Sequence, residues 1–350
     1  MNKNAYAIIM AGGAGERFWP VGRVNKPKQL SNIAGNEAMI VSTYNRLLPI
    51  FMPENIFVIT NIKYVVAIQN MLPVPPENVI GEPVGRDTAP CVALATALVK
   101  RRSTNAVMVL LPADHLLHPV KRFQELLMES LAVAENKYNS LITWGIRPRY
   151  PADCYGYIEA GEKVVGEFQE VKRFLEKPDI ETARKFIEQE NYYWNSGIFI
   201  CSVAVMEQEF QKNCPDLAQI INDLIKSDDV EEYLEKNFLR CKKISIDYAI
   251  MEKAESVLIR SVDFIWNDVG SWSALKNIFP QDENGNTTVG NVVISDSNNC
   301  VVKSDSDTMI GIIGMQNIVV VQDGNGVLIY PLSMEKDIKA LVNKLPEKWK

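Results

Sequence analysis

Up to about residue 145 the chain alternates short, continuously apolar runs with longer stretches whose apolar residues recur at helical spacing. The runs at 6–10, 56–60, 107–111 and 140–144 predict strands, and 38–51, 62–72, 89–100 and 120–135 predict helices. A strand that is apolar on every residue is covered on both faces, the condition of a parallel sheet flanked by helices. The alternation therefore predicts an α/β fold with a doubly wound, mainly parallel sheet. Ligand chemistry is expected at the carboxyl ends of its strands.

Between residues 155 and 177, "YGYIEAG" and "FQEVKRFLEKP" read as two further strands, and "SGIFICSV" as another buried one. Helices are predicted at 180–189, capped by Asp179, at 203–213 and at 217–227. After Trp272 the texture changes. Short apolar runs ("NVVI", "CVV", "MIGII", "IVVV", "VLIY") are separated by Asn, Asp, Ser and Gly, and an amphipathic segment at 333–345 closes the chain. This predicts a small C-terminal all-β appendix, whose spacing suits a short β-helix, followed by a terminal helix. The expected division is a catalytic domain over 1–280 and the small β domain over 281–350.

Composition narrows the function classes. A chain of 350 residues with 47% apolar and 23% charged content can bury a full core. No apolar stretch reaches bilayer length, and the run at 5–11 is too short and lacks the flanks of a signal peptide, so a cytoplasmic protein without membrane attachment is expected. A net charge of −6 argues against a broad basic face for nucleic acid. Six scattered cysteines with no CxxC pair read as reduced structural thiols. Two histidines, His115 and His118, leave little material for a zinc site or a histidine-activated nucleophile.

Candidate chemistry begins at "AGGAGERFWP", residues 11–20. A strand running into Gly12, Gly13 and Gly15 presents bare backbone N–H groups suited to phosphate. No Lys-Ser or Lys-Thr follows, as a P-loop requires, and Phe18 stands where a dinucleotide fingerprint needs its third glycine. A plain turn would explain the glycines but not Glu16-Arg17 or the nearby Lys26 and Lys28.

The motifs "AGGAGERFWP", "KPKQL", "GEPVGRDTAP", "LPADH", "FLEKP", "WNSGIF", "SIDYAIME" and "WNDVGSW" follow one another in this order. Together they closely resemble the sugar-1-phosphate nucleotidyltransferases, and among these the branch that transfers guanylyl to mannose 1-phosphate. The resemblance is dense over about residues 5–280 and looser beyond. It implies the nucleotidyltransferase variant of the Rossmann-like fold. It also implies a reaction of GTP with mannose 1-phosphate giving GDP-mannose and pyrophosphate, with Mg²⁺ as cofactor and a homodimer as the assembly. The longer, bifunctional members carry an isomerase domain that this chain is expected to lack. The attacking phosphate oxygen is already an anion, so no catalytic base is needed, in keeping with the scarcity of histidine.

By the same resemblance Arg17 and Lys28 meet the triphosphate and its leaving group, with Lys26 a helper. Arg suits bidentate phosphate contact, and Lys supplies a movable point charge. Asp114, just past the strand "VMVLLPAD", is placed as a magnesium ligand, with Asp268 of "WNDVGSW" its partner. Helix capping is the structural alternative for each. Guanine presents N1–H beside an exocyclic amine, so one carboxylate can accept from both. Glu82 is expected to be that reader, assisted by the backbone of Ala11 and Gly12. Arg86 and Thr88 either contact ribose and phosphates or order their loop, Thr88 as a helix cap. For the sugar phosphate, Lys177 is expected on the phosphate, Glu176 and Asn195 on hydroxyls, and Gly156 where backbone approaches the ring. Asp247 reads equally as a cap. The four tryptophans Trp19, Trp194, Trp266 and Trp272 read as packing. The alternatives are a same-fold enzyme for another base or sugar, and a non-catalytic nucleotide-sugar sensor.

Overall fold

Strands that are apolar throughout do end up enclosed on both faces. In the computed structural model, which describes residues 4–13, 15–33, 35, 37–136, 139–305 and 307–350, β1 (Ala5–Ala11) holds Ala5, Ala7, Ile8 and Ile9 with no exposed surface. The chain falls into two units: Met1–Gly12, Tyr44–Ala113 and Leu117–Trp266 form one, and Gly13–Thr43, Asp114–Leu116 and Asn267–Lys350 the other.

The first unit is built on a nine-stranded sheet. Its other strands are β2 (Ile56–Asn61), β3 (Val79–Glu82), β4 (Val107–Pro112) and, after a short β5 (Leu116–His118) that lies outside this sheet, β6 (Leu141–Ile146), β7 (Tyr157–Val165), β8 (Phe168–Leu175), β9 (Tyr192–Ser202) and β10 (Val257–Val262). The spatial order is β3-β2-β1-β4-β9-β6-β10-β8-β7. Pairings of β1 with β2 and β4, of β2 with β3, and of β6 with β10 are parallel. The sheet is mixed because β9 enters antiparallel to both β4 and β6. Its first residues also pair with β7, Trp194 opposite Tyr157.

The helices are α1 (Met39–Leu47), α2 (Val65–Met71), α3 (Thr88–Arg102), α4 (Val120–Glu135), α5 (Ile180–Ile187), α6 (Val203–Asn213), α7 (Pro215–Lys226), α8 (Val230–Asn237) and, near the carboxyl end, α9 (Ile338–Asn343). Helix α3 is buried on nearly every face because Ala89, Ala93, Ala95 and Ala97 are small enough to lie between the sheet and the pair α6 and α7. Asp179 caps α5 by accepting from Thr182 N at 2.8 Å, as its sequence position predicts. Helix α8 was not foreseen. It is a short polar helix capped by Asp229, with Leu234 as its buried residue. No helix among the described residues is long and apolar enough to cross a membrane, and all six cysteines are free thiols.

After the short β11 (Ile265–Asn267), the second unit carries β12 (Thr287–Val289), β13 (Val292–Ser295), β14 (Val301–Lys303), β15 (Ile310–Ile313), β16 (Ile318–Asp323) and β17 (Gly326–Pro331). Every second strand pairs in parallel, β12 with β14, β14 with β16, and β13 with β15, which is the coil of a short β-helix. Strand β17 ends it by folding back antiparallel on β16. Val301, Val319 and Val321 of the coil share one core with Phe18, Trp19 and Trp272. The indole of Trp19 donates to the backbone oxygen of Trp349 at 2.8 Å, and that of Trp272 to the oxygen of Trp19 at 3.2 Å. Phe18 and Trp19, which follow the glycines, are thus packed on the C-terminal β region and helix, within one unit.

Candidate active site

In the second unit the loop after β1 is shaped around Lys28. Gly15 has φ 66°, and a Cβ there would stand 2.5 Å from the Lys28 backbone N, so both conformation and space demand glycine. The Gln29 amide donates to the Gly13 oxygen at 2.9 Å and fixes the loop. The Lys28 side chain is only 8% exposed. Its ammonium lies 2.8 Å from Asp114 Oδ2, donates to the Asp268 backbone oxygen at 2.6 Å, and sits 5.4 Å from the centre of the Phe18 ring. Burial pushes the Asp114 carboxyl up, but the charges of Lys28 and His115 and the hydrogen bond from Lys28 outweigh it, and the group sits below its ordinary value. Asp114 caps no helix; it is paired with the lysine.

The "WNDVGSW" turn is held under strain beside it. Val269 is fully buried with φ 45°, a conformation a β-branched residue rarely takes, and its N–H donates to Asn267 Oδ1 at 2.7 Å. Arg17 is exposed and makes no ion pair among the described residues, so its guanidinium is available to an anion; Lys26 is exposed as well. One cavity of about 290 Å³ is lined by Gly15, Arg17, Lys28 and Gly270 among others.

Among the described residues no three His, Cys, Asp or Glu side chains gather to hold a metal. The set on offer for Mg²⁺ is the carboxylates of Asp114 and Asp268, hard oxygens whose loops meet at a single ammonium. Mg²⁺ commonly takes one or two carboxylates and completes its shell with water and substrate phosphate, so this donor set fits the ion.

In the first unit, Glu82 ends β3 and is 3% exposed. Its Oε1 has no hydrogen-bond partner, and its Oε2 lies 3.5 Å from where a Cβ on Gly12 would be. Burial without a compensating charge pushes this carboxyl up to about 8. A buried, unsatisfied carboxylate facing a glycine is a vacancy in hydrogen bonding that the fold itself leaves open. Ala11 is buried, and its backbone oxygen accepts from the Thr60 hydroxyl at 3.0 Å.

Two neighbours turn out to be engaged in holding chain. Arg86 donates to the Leu239 oxygen at 2.5 Å. The cap of α3 is Asp87, which accepts from Thr88 N at 2.8 Å, rather than Thr88. The Thr88 hydroxyl instead accepts from Ile246 N at 2.8 Å, tying this loop to the "SIDYAIME" segment.

That segment adjoins a second cluster of the same unit. Asn195 accepts at Oδ1 from the Thr143 hydroxyl (3.2 Å) and Gly197 N (3.1 Å), and donates from Nδ2 to Asp247 at 3.0 Å. Its amide orientation is thereby fixed, with one amide hydrogen left over. Asp247 opens a π-helical turn, Asp247–Met251, and is not a side-chain cap. Burial, then the charge of Glu176, pushes its carboxyl up to about 7. The Glu176 side chain is 7% exposed and receives the Lys177 ammonium at 2.6 Å. Gly156 passes so close that a Cβ on it would fall 2.5 Å from Glu176 Oε2. Glu252 positions the strand end by accepting from Glu176 N at 3.0 Å. The sequence assigns no role to Thr143 or Glu252: the first is one of two hydroxyl residues in the apolar run at 140–144, and the second closes "SIDYAIME" without a spacing that points to its partner. Trp19, Trp194 and Trp272 are buried packing residues.

The same class emerges from comparison with known proteins. A family model described as nucleotidyl transferase matches residues 6–285, and one described as a MannoseP isomerase/GMP-like beta-helix domain matches 290–345. The chain belongs to the nucleotidyl transferase family and is an enzyme of that class. It is 32% identical to a mannose-1-phosphate guanylyltransferase of Escherichia coli, over 99% of this chain and 76% of that one. It is 35% identical to another from Escherichia coli K12, over 97% and 73%. A solved structure from Thermus thermophilus, described as a mannose-1-phosphate geranyltransferase, superposes with TM-score 0.89 at 31% identity, over 97% of this chain and 99% of that one.

Proposed function

We propose that the chain transfers guanylyl from GTP to mannose 1-phosphate, releasing GDP-mannose and pyrophosphate. A phosphate oxygen of the sugar phosphate attacks the α-phosphorus in line. The bond from the α-phosphorus to its bridging oxygen breaks, and pyrophosphate leaves with that electron pair, so no proton need be moved. Arg17 and Lys28 bind the triphosphate and offset charge on the leaving group. The family generally uses a divalent metal, and the reading here is Mg²⁺ on Asp114 and Asp268. When bound, the ion neutralises the reacting phosphates. Lys177, Glu176, Asn195 and the backbone at Gly156 receive the sugar phosphate, while Arg86 and Thr88 order the nucleotide-binding loop.

The observation that carries the choice of base is the orphaned Oε1 of Glu82, fully enclosed beside Gly12. N1–H and the exocyclic amine of guanine would satisfy both oxygens of one carboxylate; the other common bases lack that adjacent donor pair. The match over nearly the whole chain to mannose-1-phosphate guanylyltransferases supports the choice of sugar. A cytoplasmic location, pairing as a homodimer and the division into 1–280 and 281–350 belong to the same reading.

The test is pyrophosphate release over a grid of four nucleoside triphosphates and several sugar phosphates, with and without Mg²⁺. GTP with mannose 1-phosphate should exceed every other pair. Equal turnover with UTP or dTTP would overturn the assignment.

A further inference from the structure

Helix α9 brings a cation from the far end of the chain to the phosphate loop. Its Ile338 and Val342 are buried in the cluster that contains Phe18 and Trp19, which immediately follow Arg17. With that face fixed, Lys339 lies on the open side, its ammonium 3.1 Å from Glu16 Oε2. Gly15, Glu16, Arg17, Lys28, Gly270 and Lys339 line one cavity of about 290 Å³.

The charges in this cavity are unequally committed. Lys28 is buried against Asp114 and the backbone of Asp268. Lys339 and Glu16 are 63% and 39% exposed, and an ion pair so open to water contributes little to stability. Such a pair is better suited to exchanging partners than to holding the fold. A lysine on a flexible stem can leave a carboxylate for a phosphate without any backbone movement.

We propose that Lys339 is a third phosphate-binding cation of the loop, contacting the terminal phosphates that depart as pyrophosphate. Glu16 is the competing carboxylate that holds Lys339 when no ligand is bound. The inference rests on the reading of this loop as the triphosphate cradle. It extends the site into residues 290–345, the part of the chain matched by the beta-helix family model.

Binding of inorganic pyrophosphate to the full chain, measured by calorimetry in the presence of Mg²⁺, separates this from a structural role. Lys339→Met should weaken pyrophosphate about tenfold, the scale of one hydrogen bond to a charged group. Glu16→Gln should tighten it, and Lys339→Arg should restore most of the loss. A merely structural pair would make Lys339→Met and Glu16→Gln change affinity in the same direction, and that result overturns the proposal. Unchanged affinity in Lys339→Met with loss in Arg17→Ala overturns the assignment of Lys339 alone. Unchanged affinity in both overturns the phosphate loop as well.

Discussion

The Lys28 ammonium stands 2.8 Å from Asp114 Oδ2 and 2.6 Å from the backbone oxygen of Asp268, so one buried cation touches the loops of both proposed magnesium ligands. Lys28→Ala removes the charge and leaves Asp114 without its partner. Lys28→Ala or Asp114→Ala should each lower turnover on the order of 10²–10³-fold, the scale of losing a key charge-stabilising group. Steady-state kinetics beside a circular-dichroism melt checks this. Turnover near the parent's in a folded variant would remove that residue from the chemistry.

Glu82 sets a pH dependence whose sign is fixed. Its carboxyl sits at about 8 in the folded protein against 4.5 ordinarily. Accepting from guanine requires the ionised form, so KM for GTP should fall as pH rises from 7 to 9. Glu82→Gln should abolish that slope and weaken the preference for GTP over UTP. For stability, an acid raised on folding contributes fully below its unfolded value, and that contribution is lost as pH climbs through the folded one. The glutamine variant should therefore gain melting temperature over the parent at pH 9 and little at pH 5. A pH-independent KM in the parent enzyme argues against the carboxylate as reader.

Gly15 combines φ 66° with a Cβ position 2.5 Å from the Lys28 backbone. Gly15→Ala should cost about 1–3 kcal/mol, the range for forcing a side chain into that conformation. It should also depress turnover by displacing Lys28. Denaturant unfolding and kinetics on one preparation test both. Parent-like values in both would show that the loop yields freely.

Much of this architecture is legible in the residues, and the failures have physical causes. The runs at 56–60 and 107–111 fall inside β2 and β4 because continuous apolar character survives only where both faces are covered. An apolar run carries no direction, however, and "SGIFICSV" gives no sign that β9 runs antiparallel to its neighbours. Helix α8 hides because Val230, Tyr233 and Leu234 make too thin a stripe, although Asp229 followed by Glu231 and Glu232 is a readable helix start. At the candidate site the motifs name Lys28, Asp114 and Glu82, but not what each touches. That Lys28 is locked to Asp114 while Glu82 Oε1 lacks a partner depends on packing from distant segments. Lys339 carries no motif at all; only the burial of Ile338 and Val342 beside Phe18 brings it to the loop.

The bond from the Trp19 indole to the oxygen of Trp349 has a practical corollary. Material removed from the carboxyl end takes with it the acceptor of the Trp19 indole, in the segment that follows the glycines. Trimming the tail should therefore register first as poor handling of nucleotide, before any general loss of folding is seen.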